Sequence, residues 1–185
     1  MNKALIAVVL VVLGLILWGV ALNNRIVGLH EGVNSAWAQV ETVLQRRYDL
    51  IPNLVNTVKG YAAHESKLFE DVTRLRSQWA AAQTTAEKVD AAQKLEAGLG
   101  RLIVVAEQYP DLKASANFRD LQFELAGTEN RIAVERQRYN DAVRAYNVAV
   151  RQFPGSFIAS RRGFLPSTAY FEAKAAAKDA PAVTF

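Results

Sequence analysis

Residues 118–153 read FRDLQFELAGTENRIAVERQRYNDAVRAYNVAVRQF. Within this stretch Phe118, Leu121, Leu125, Thr128, Ile132, Glu135, Tyr139, Ala142, Tyr146, Ala149 and Phe153 recur at alternating steps of three and four. That spacing lines one face of a helix, whereas a strand would alternate at period two. Neither a proline nor a glycine pair interrupts it, so the pattern predicts one long helix with a single packed seam. Upstream, Val89, Ala92, Leu95, Leu99, Leu102, Ala106 and Tyr109 repeat the pattern up to Pro110. Thr85 is the expected cap of that helix, with Glu87 in its first turn. Leu54, Val58, Tyr61, Glu65, Leu68, Val72, Leu75 and Trp79 form another seam behind Pro52, a residue tolerated in a first helical turn and unfavourable to helix just before it. A new helix is therefore expected to start at Asp49–Pro52 and run unbroken to Trp79. Ile26, Leu29, Val33, Trp37, Val40 and Leu44 make a further seam ahead of it.

Further upstream the character changes. From Ala4 to Leu22 the run ALIAVVLVVLGLILWGVAL holds 19 residues without a charge, about 28 Å of helix and close to the hydrocarbon thickness of a bilayer. A cleaved signal peptide is the competing reading, with Lys3 as its positive start and Gly19 and Ala21 as small residues near a cleavage site. The run is longer than an ordinary signal core, and Trp18 stands where an interfacial anchor belongs. Residues 1–24 are thus read as a transmembrane anchor, 25–153 as a helical bundle and 154–185 as an extended C-terminal tail. Lys3 and the α-amino group on one flank, against Arg25 on the other, lean weakly towards an N-in arrangement with the bundle on the extracytoplasmic side.

The fold class expected is all-α: an N-terminal transmembrane helix continuing into a long antiparallel four-helix bundle, because short connections between amphipathic helices favour antiparallel neighbours. In that topology the turns at Arg46–Pro52 and Tyr109–Leu112 share the end far from the membrane, and the tail returns to the membrane surface. Three polar residues, Glu65, Thr128 and Glu135, stand where the seams ask for apolar ones. Counting turns places Glu65 and Thr128 at similar heights and Glu135 on another level, so the three read as a structural polar layer that fixes register.

The sequence offers little that could do chemistry. It contains no cysteine and only His30 and His64, neither of which follows a glutamate by three as a di-iron helix bundle requires. A phosphate-binding glycine loop, a nucleophile elbow and an H-x-x-x-H zinc pair are all missing from the sequence. No cofactor or metal is expected, and no enzyme. A net charge of +4 with basic and acidic residues interleaved makes nucleic acid a poor partner. Arg46 and Arg47 read most simply as cations at a helix C-terminus, with a partner or anionic-lipid grip as the alternative. Phe157, Arg161, Arg162 and Phe164 mix aromatic and basic character in the tail and suit an interfacial contact. Val183 and Phe185, at period two, suit an arm docking on a neighbouring subunit.

The motifs also resemble a known family. Gln45-Arg46-Arg47-Tyr48-Asp49-Leu50-Ile51-Pro52-Asn53-Leu54-Val55 followed by Val58-Lys59-Gly60-Tyr61-Ala62-Ala63-His64-Glu65 is similar to the signature of the LemA family. Thr128-Glu129-Asn130-Arg131-Ile132-Ala133, Tyr139-Asn140, Tyr146-Asn147, Phe153-Pro154-Gly155 and Ala182-Val183-Thr184-Phe185 resemble its later motifs. Tyr48 after the double arginine and an alanine-rich tail depart slightly from its commonest form. The resemblance implies a single-pass bacterial inner-membrane protein with a helical soluble domain, members of which are encoded near membrane zinc metalloproteases, and it carries over no catalytic residues. The expected function is a non-enzymatic, homo-oligomeric membrane scaffold. An adaptor or sensor for a membrane protease or other envelope protein is the alternative, with a metal-binding bundle enzyme behind both.

Overall fold

The computed structural model describes residues 2–171, and every regular element among them is a helix. In chain order these are α1 (Lys3–Asp49), α2 (Ile51–Lys59), α3 (Ser66–Ala81), α4 (Thr85–Ala106), α5 (Pro110–Ala114), α6 (Ala116–Arg151) and α7 (Gly155–Arg162). The apolar run and the first amphipathic seam are one uninterrupted helix, as expected. The chain divides into two compact units: residues up to Thr42 with Ala133–Thr168, and Val43–Ile132 with the described residues from Ala169.

The first unit has a small core in which Ile26, Tyr146, Val150 and Ala159 are buried and Leu29, Val33, Ala149, Ile158 and Phe164 pack around them. The His30 ring lies 5.4 Å from the Tyr146 ring and 5.6 Å from that of Phe164, and Trp37 meets Tyr139 edge-on at 5.5 Å. The chain after α7 is tied back by polar bonds. Tyr146 Oη donates to the Leu165 carbonyl at 3.0 Å, and Asn147 exchanges two bonds of 2.8 Å with the backbone of Ser167. Burial pushes the Tyr146 phenol above its ordinary pKa. Gly155 opens α7 against the end of α6, where a Cβ would collide with the Ala149 carbonyl; only glycine allows that approach.

Part of the sequence expected as an extended tail is therefore helical. The long seam also ends earlier than its spacing suggested, because α6 stops at Arg151 and Phe153 is 85% exposed. Near that end, burial moves one residue along the heptad: Val143, Asn147 and Val150 are buried, while Ala142 and Ala149 are only partly so. An α-helix drifts about 20° per heptad against a strict 3.5-residue repeat. Over the four heptads from Phe118 to Tyr146 the drift approaches the 100° that separates neighbouring residues, so the stripe passes to the next position.

In the second unit α3 and α4 pack antiparallel. Gly98 leaves room for the side chains of Leu75 and Val72 on the facing helix, and Phe69, Val72, Leu75 and Trp79 meet a face built from Val89, Ala92, Leu95, Leu99 and Leu102, all buried. Tyr48 is fully buried with its ring 4.8 Å from and edge-on to Trp79. A capping box starts α4. Thr84 Oγ1 accepts from the Glu87 amide, and Glu87 Oε2 accepts from the amides of Thr84 and Gln83. The cap is thus Thr84, one residue before the expected Thr85, and these backbone donors hold the Glu87 carboxyl below its ordinary pKa.

The helix expected from Pro52 to Trp79 is two helices, and the chain's reversal falls in a different place. Leu50 keeps right-handed helical angles (φ −78°, ψ −19°), so α2 follows α1 with only a local fault. Pro52 has no N–H to give the Tyr48 carbonyl four residues back. Arg76 Nε of α3 donates to that carbonyl instead, at 3.1 Å. The break comes at Gly60, where low helix propensity ends α2 and a short turn leads to α3. Tyr61, expected on the seam, is exposed there.

Candidate functional site

The polar layer forms around a different residue from those the seams suggested. Leu44 is the last apolar position of the first seam, and one further step of three reaches Arg47. That step directs the Arg47 side chain inward, where it is 6% exposed. Arg47 Nε lies 3.1 Å from Glu96 Oε1 of α4, whose side chain is equally buried, and Nη2 lies 2.9 Å from Glu129 Oε2 of α6. Nη1 donates to the Leu125 carbonyl at 2.7 Å and to Thr128 Oγ1 at 3.3 Å. Thr128 in turn donates to the Leu125 carbonyl at 2.8 Å. One guanidinium thus addresses two carboxylates, a hydroxyl and a main-chain oxygen, using the planar fork that suits arginine to such sites.

Of the three seam residues, the structure brings only Thr128 into this cluster. Glu65 was expected on a helix face but sits at the N-terminal boundary of α3, with φ −90° and ψ 36° and no capping bond from its side chain. It left the seam because the second predicted helix breaks at Gly60. Glu135 remains on α6 but pairs with Arg138 one turn on, at 2.8 Å. Arg46 is exposed and borders a cavity of about 210 Å³ in the second unit, together with Phe123, Glu124, Gly127, Thr128 and Arg131. Sequence reasoning missed Glu96 and Glu129; Arg47 does lie in the last turn of α1, as expected, but its side chain is buried against the middle of α4 and not presented at a free helix end. The available signal was the continuation of the Leu44 seam to position 47.

A second group of site residues lies on α7 and, for Phe164, just after it. Phe157, Arg161 and Arg162 are exposed and Phe164 is partly buried in the first unit's core. The Arg161 guanidinium lies 4.9 Å from the centre of the Phe157 ring, and Arg162 Nε donates to Asn23 Oδ1 of α1 at 3.0 Å. Val183 and Phe185 lie outside the described residues. Among the described residues no cluster of three His, Asp or Glu side chains could hold a metal ion.

These residues can now be set beside known proteins. Magnetosome protein MamQ of Magnetospirillum gryphiswaldense is 27% identical over 187 residues, covering 87% of this chain and 68% of the relative. Magnetosome protein MamQ 1 of Paramagnetospirillum magneticum matches with the same identity and coverage. Protein LemA of Metamycoplasma hominis is 23% identical over 140 residues, covering 75% of this chain and 64% of that protein. A profile of the LemA family matches residues 36–185, a span that contains the whole Arg47 cluster and α7 and begins beyond the apolar run. On that match, the chain belongs to the LemA family.

Proposed function

We propose that this chain is a single-pass, non-enzymatic scaffold of the bacterial cytoplasmic membrane, whose helical part self-assembles beside the bilayer. The observation that carries the reading is the state of residues 4–22. Leu5, Val8, Leu10, Val12, Leu15 and Leu17 are each at least half exposed on a helix that continues without a break into folded protein. Apolar side chains turned outward on every face are stable in hydrocarbon and costly in water. The most apolar part of this helix has a mean hydropathy of 3.0 with none of it buried, and the uncharged run is long enough for one crossing. Lys3 favours the N-in orientation and a helical part on the extracytoplasmic side.

The scaffold reading draws on how the polar interior is used. Arg47 spends its donors on neighbours within its own fold, as a group that sets register does. Relatives named for the magnetosome fit a part in building a cellular structure. The test pairs alkaline extraction of membranes with mass measurement in detergent. Full-length protein should stay in the membrane pellet and run as a multiple of 20.4 kDa, whereas a chain stopped at Pro154 should lose the higher multiples. Monomers from both would refute self-assembly.

A second reading, an adaptor for a membrane metalloprotease or other envelope protein, is favoured by one observation: Phe123 is 82% exposed beside Arg46 and Arg131. Large aromatic and arginine side chains at a concave surface are common anchors for protein partners. Site-specific photocrosslinking from position 123 in cells would favour the adaptor if it traps such a protease, and the scaffold if it traps only further copies of the chain.

A further inference from the structure

The apolar helix and α7 flank an open, shallow groove of about 420 Å³ within the first unit. Its two ends differ in chemistry. Ile16, Gly19 and Val20 of α1 line one end, in the last two turns of the uncharged run. Gly19 contributes no side chain, and nothing stands within 4 Å of where its Cβ would be. At the other end Asn23 is bonded to Arg162, Arg161, its neighbour in the chain, also lines the groove, and no carboxylate is among the described residues that line it. Asn23 directly follows Leu22, the last residue of the run, so this polar end falls at the level where hydrocarbon gives way to headgroups.

From this arrangement we infer that the groove binds one anionic phospholipid of the bilayer, its phosphate between Arg161 and Arg162 and an acyl chain along Ile16, Gly19 and Val20. The inference rests on the membrane-anchor reading above. Both guanidinium groups are pre-positioned for it. Arg162 is held through Nε by Asn23, which leaves its two Nη groups to form the paired hydrogen bonds that a phosphate accepts. Arg161 is steadied over the Phe157 ring, where its hydrogen-bonding edge stays available. Two fixed cations with no lining anion favour a lipid whose headgroup carries net negative charge, because a zwitterionic headgroup brings its own cation. The length from Ile16 to Asn23, about 10 Å at 1.5 Å per residue, admits several methylene groups of an acyl chain beside the phosphate. Phe157, 58% exposed on the same helix, completes an amphipathic face suited to the interface.

The test is native mass spectrometry of the full-length protein in detergent, titrated with phosphatidylglycerol or phosphatidylcholine. One phosphatidylglycerol should be retained preferentially. The variant Arg161→Gln/Arg162→Gln should lose about 30-fold in that retention, since each cation near an anionic headgroup is worth about a fivefold gain. Lys113→Gln/Arg119→Gln, which removes the same charge from exposed positions elsewhere, should retain the lipid unchanged. Equal retention of the two lipids, persistence of the preference in the α7 variant, or equally tight binding of soluble glycerol 3-phosphate would each overturn the assignment. A fall in oligomer mass without any lipid dependence in the α7 variant would also overturn it, in favour of a second copy of the chain. Alkaline extraction of the same membranes separates the two levels: protein that stays in the pellet without lipid preference overturns only the groove, whereas protein released to the supernatant overturns the anchor as well.

Discussion

The two compact units solve the same problem, holding long helices in one register, by different means. In the first, a few apolar and aromatic groups close on a glycine: Ile26, Tyr146, Val150 and Ala159 pack where Gly155 lets α7 approach the end of α6. In the second, a broad apolar core surrounds a guanidinium with Glu96, Glu129 and Thr128 around it. The first is specified by shape and the second by charge. A shape-specified core answers to added volume. A charge-specified one answers to the loss of a single partner, because taking ions out of water costs several kcal/mol each and only close pairing offsets it.

The largest expected effect therefore lies in the second unit. Arg47→Met should destabilise the protein by about 3–5 kcal/mol, since it removes the cation facing the buried Glu96 carboxylate. Chemical denaturation of the solubilised protein measures it. Adding Glu96→Leu should restore most of the loss; failure to do so would mean that the cluster matters through more than its charge. Next comes the first unit, where Gly155→Ala should cost about 1–3 kcal/mol through the collision with the Ala149 carbonyl. Hydrogen exchange should report the loss in α7, with α3 and α4 keeping their protection.

A smaller effect tests the cap of α4. Thr84→Ala should cost about 1 kcal/mol. The Glu87 carboxyl is held below its ordinary pKa by the amides of Thr84 and Gln83, so its contribution is present above the unfolded value near 4.5 and is lost as pH falls through the lower folded value. An acid titration of helicity should show that loss in the parent and not in Glu87→Gln. The smallest is Tyr146→Phe, at about 0.5–1 kcal/mol for the bond to Leu165. Burial raises the Tyr146 phenol, so the stability tied to its neutral form is intact below the ordinary value of 10.0 and is lost as pH rises through the higher folded value. The parent should weaken in strong alkali more steeply than Tyr146→Phe does.

The helices themselves were legible in the sequence because a seam at steps of three and four has one simple explanation, and the 19 uncharged residues have one natural environment. The turns were harder, since proline and glycine each allow two outcomes. A helix does start at Ile51 with Pro52 in its first turn, as expected, but the chain does not reverse there, while Gly60, quiet inside a regular seam, ends α2. The displaced Glu65 follows from that single misplacement. Arg47 was hidden for another reason. Two consecutive arginines in the last turn of a helix have an ordinary explanation in the helix dipole, and a buried cation is visible only once the carboxylates of two other helices are brought beside it.

The proline fault has a consequence of its own. By withholding an amide, Pro52 turns the Tyr48 carbonyl into an address on an otherwise uniform helix, and Arg76 is the side chain that reads it. Ordinary helix surfaces can slide past one another by a turn and find similar contacts. A single acceptor of this kind does not repeat, so α3 has one position along the chain at which its arginine finds it, and a residue usually counted as a defect becomes the key that sets how the neighbouring helix is cut.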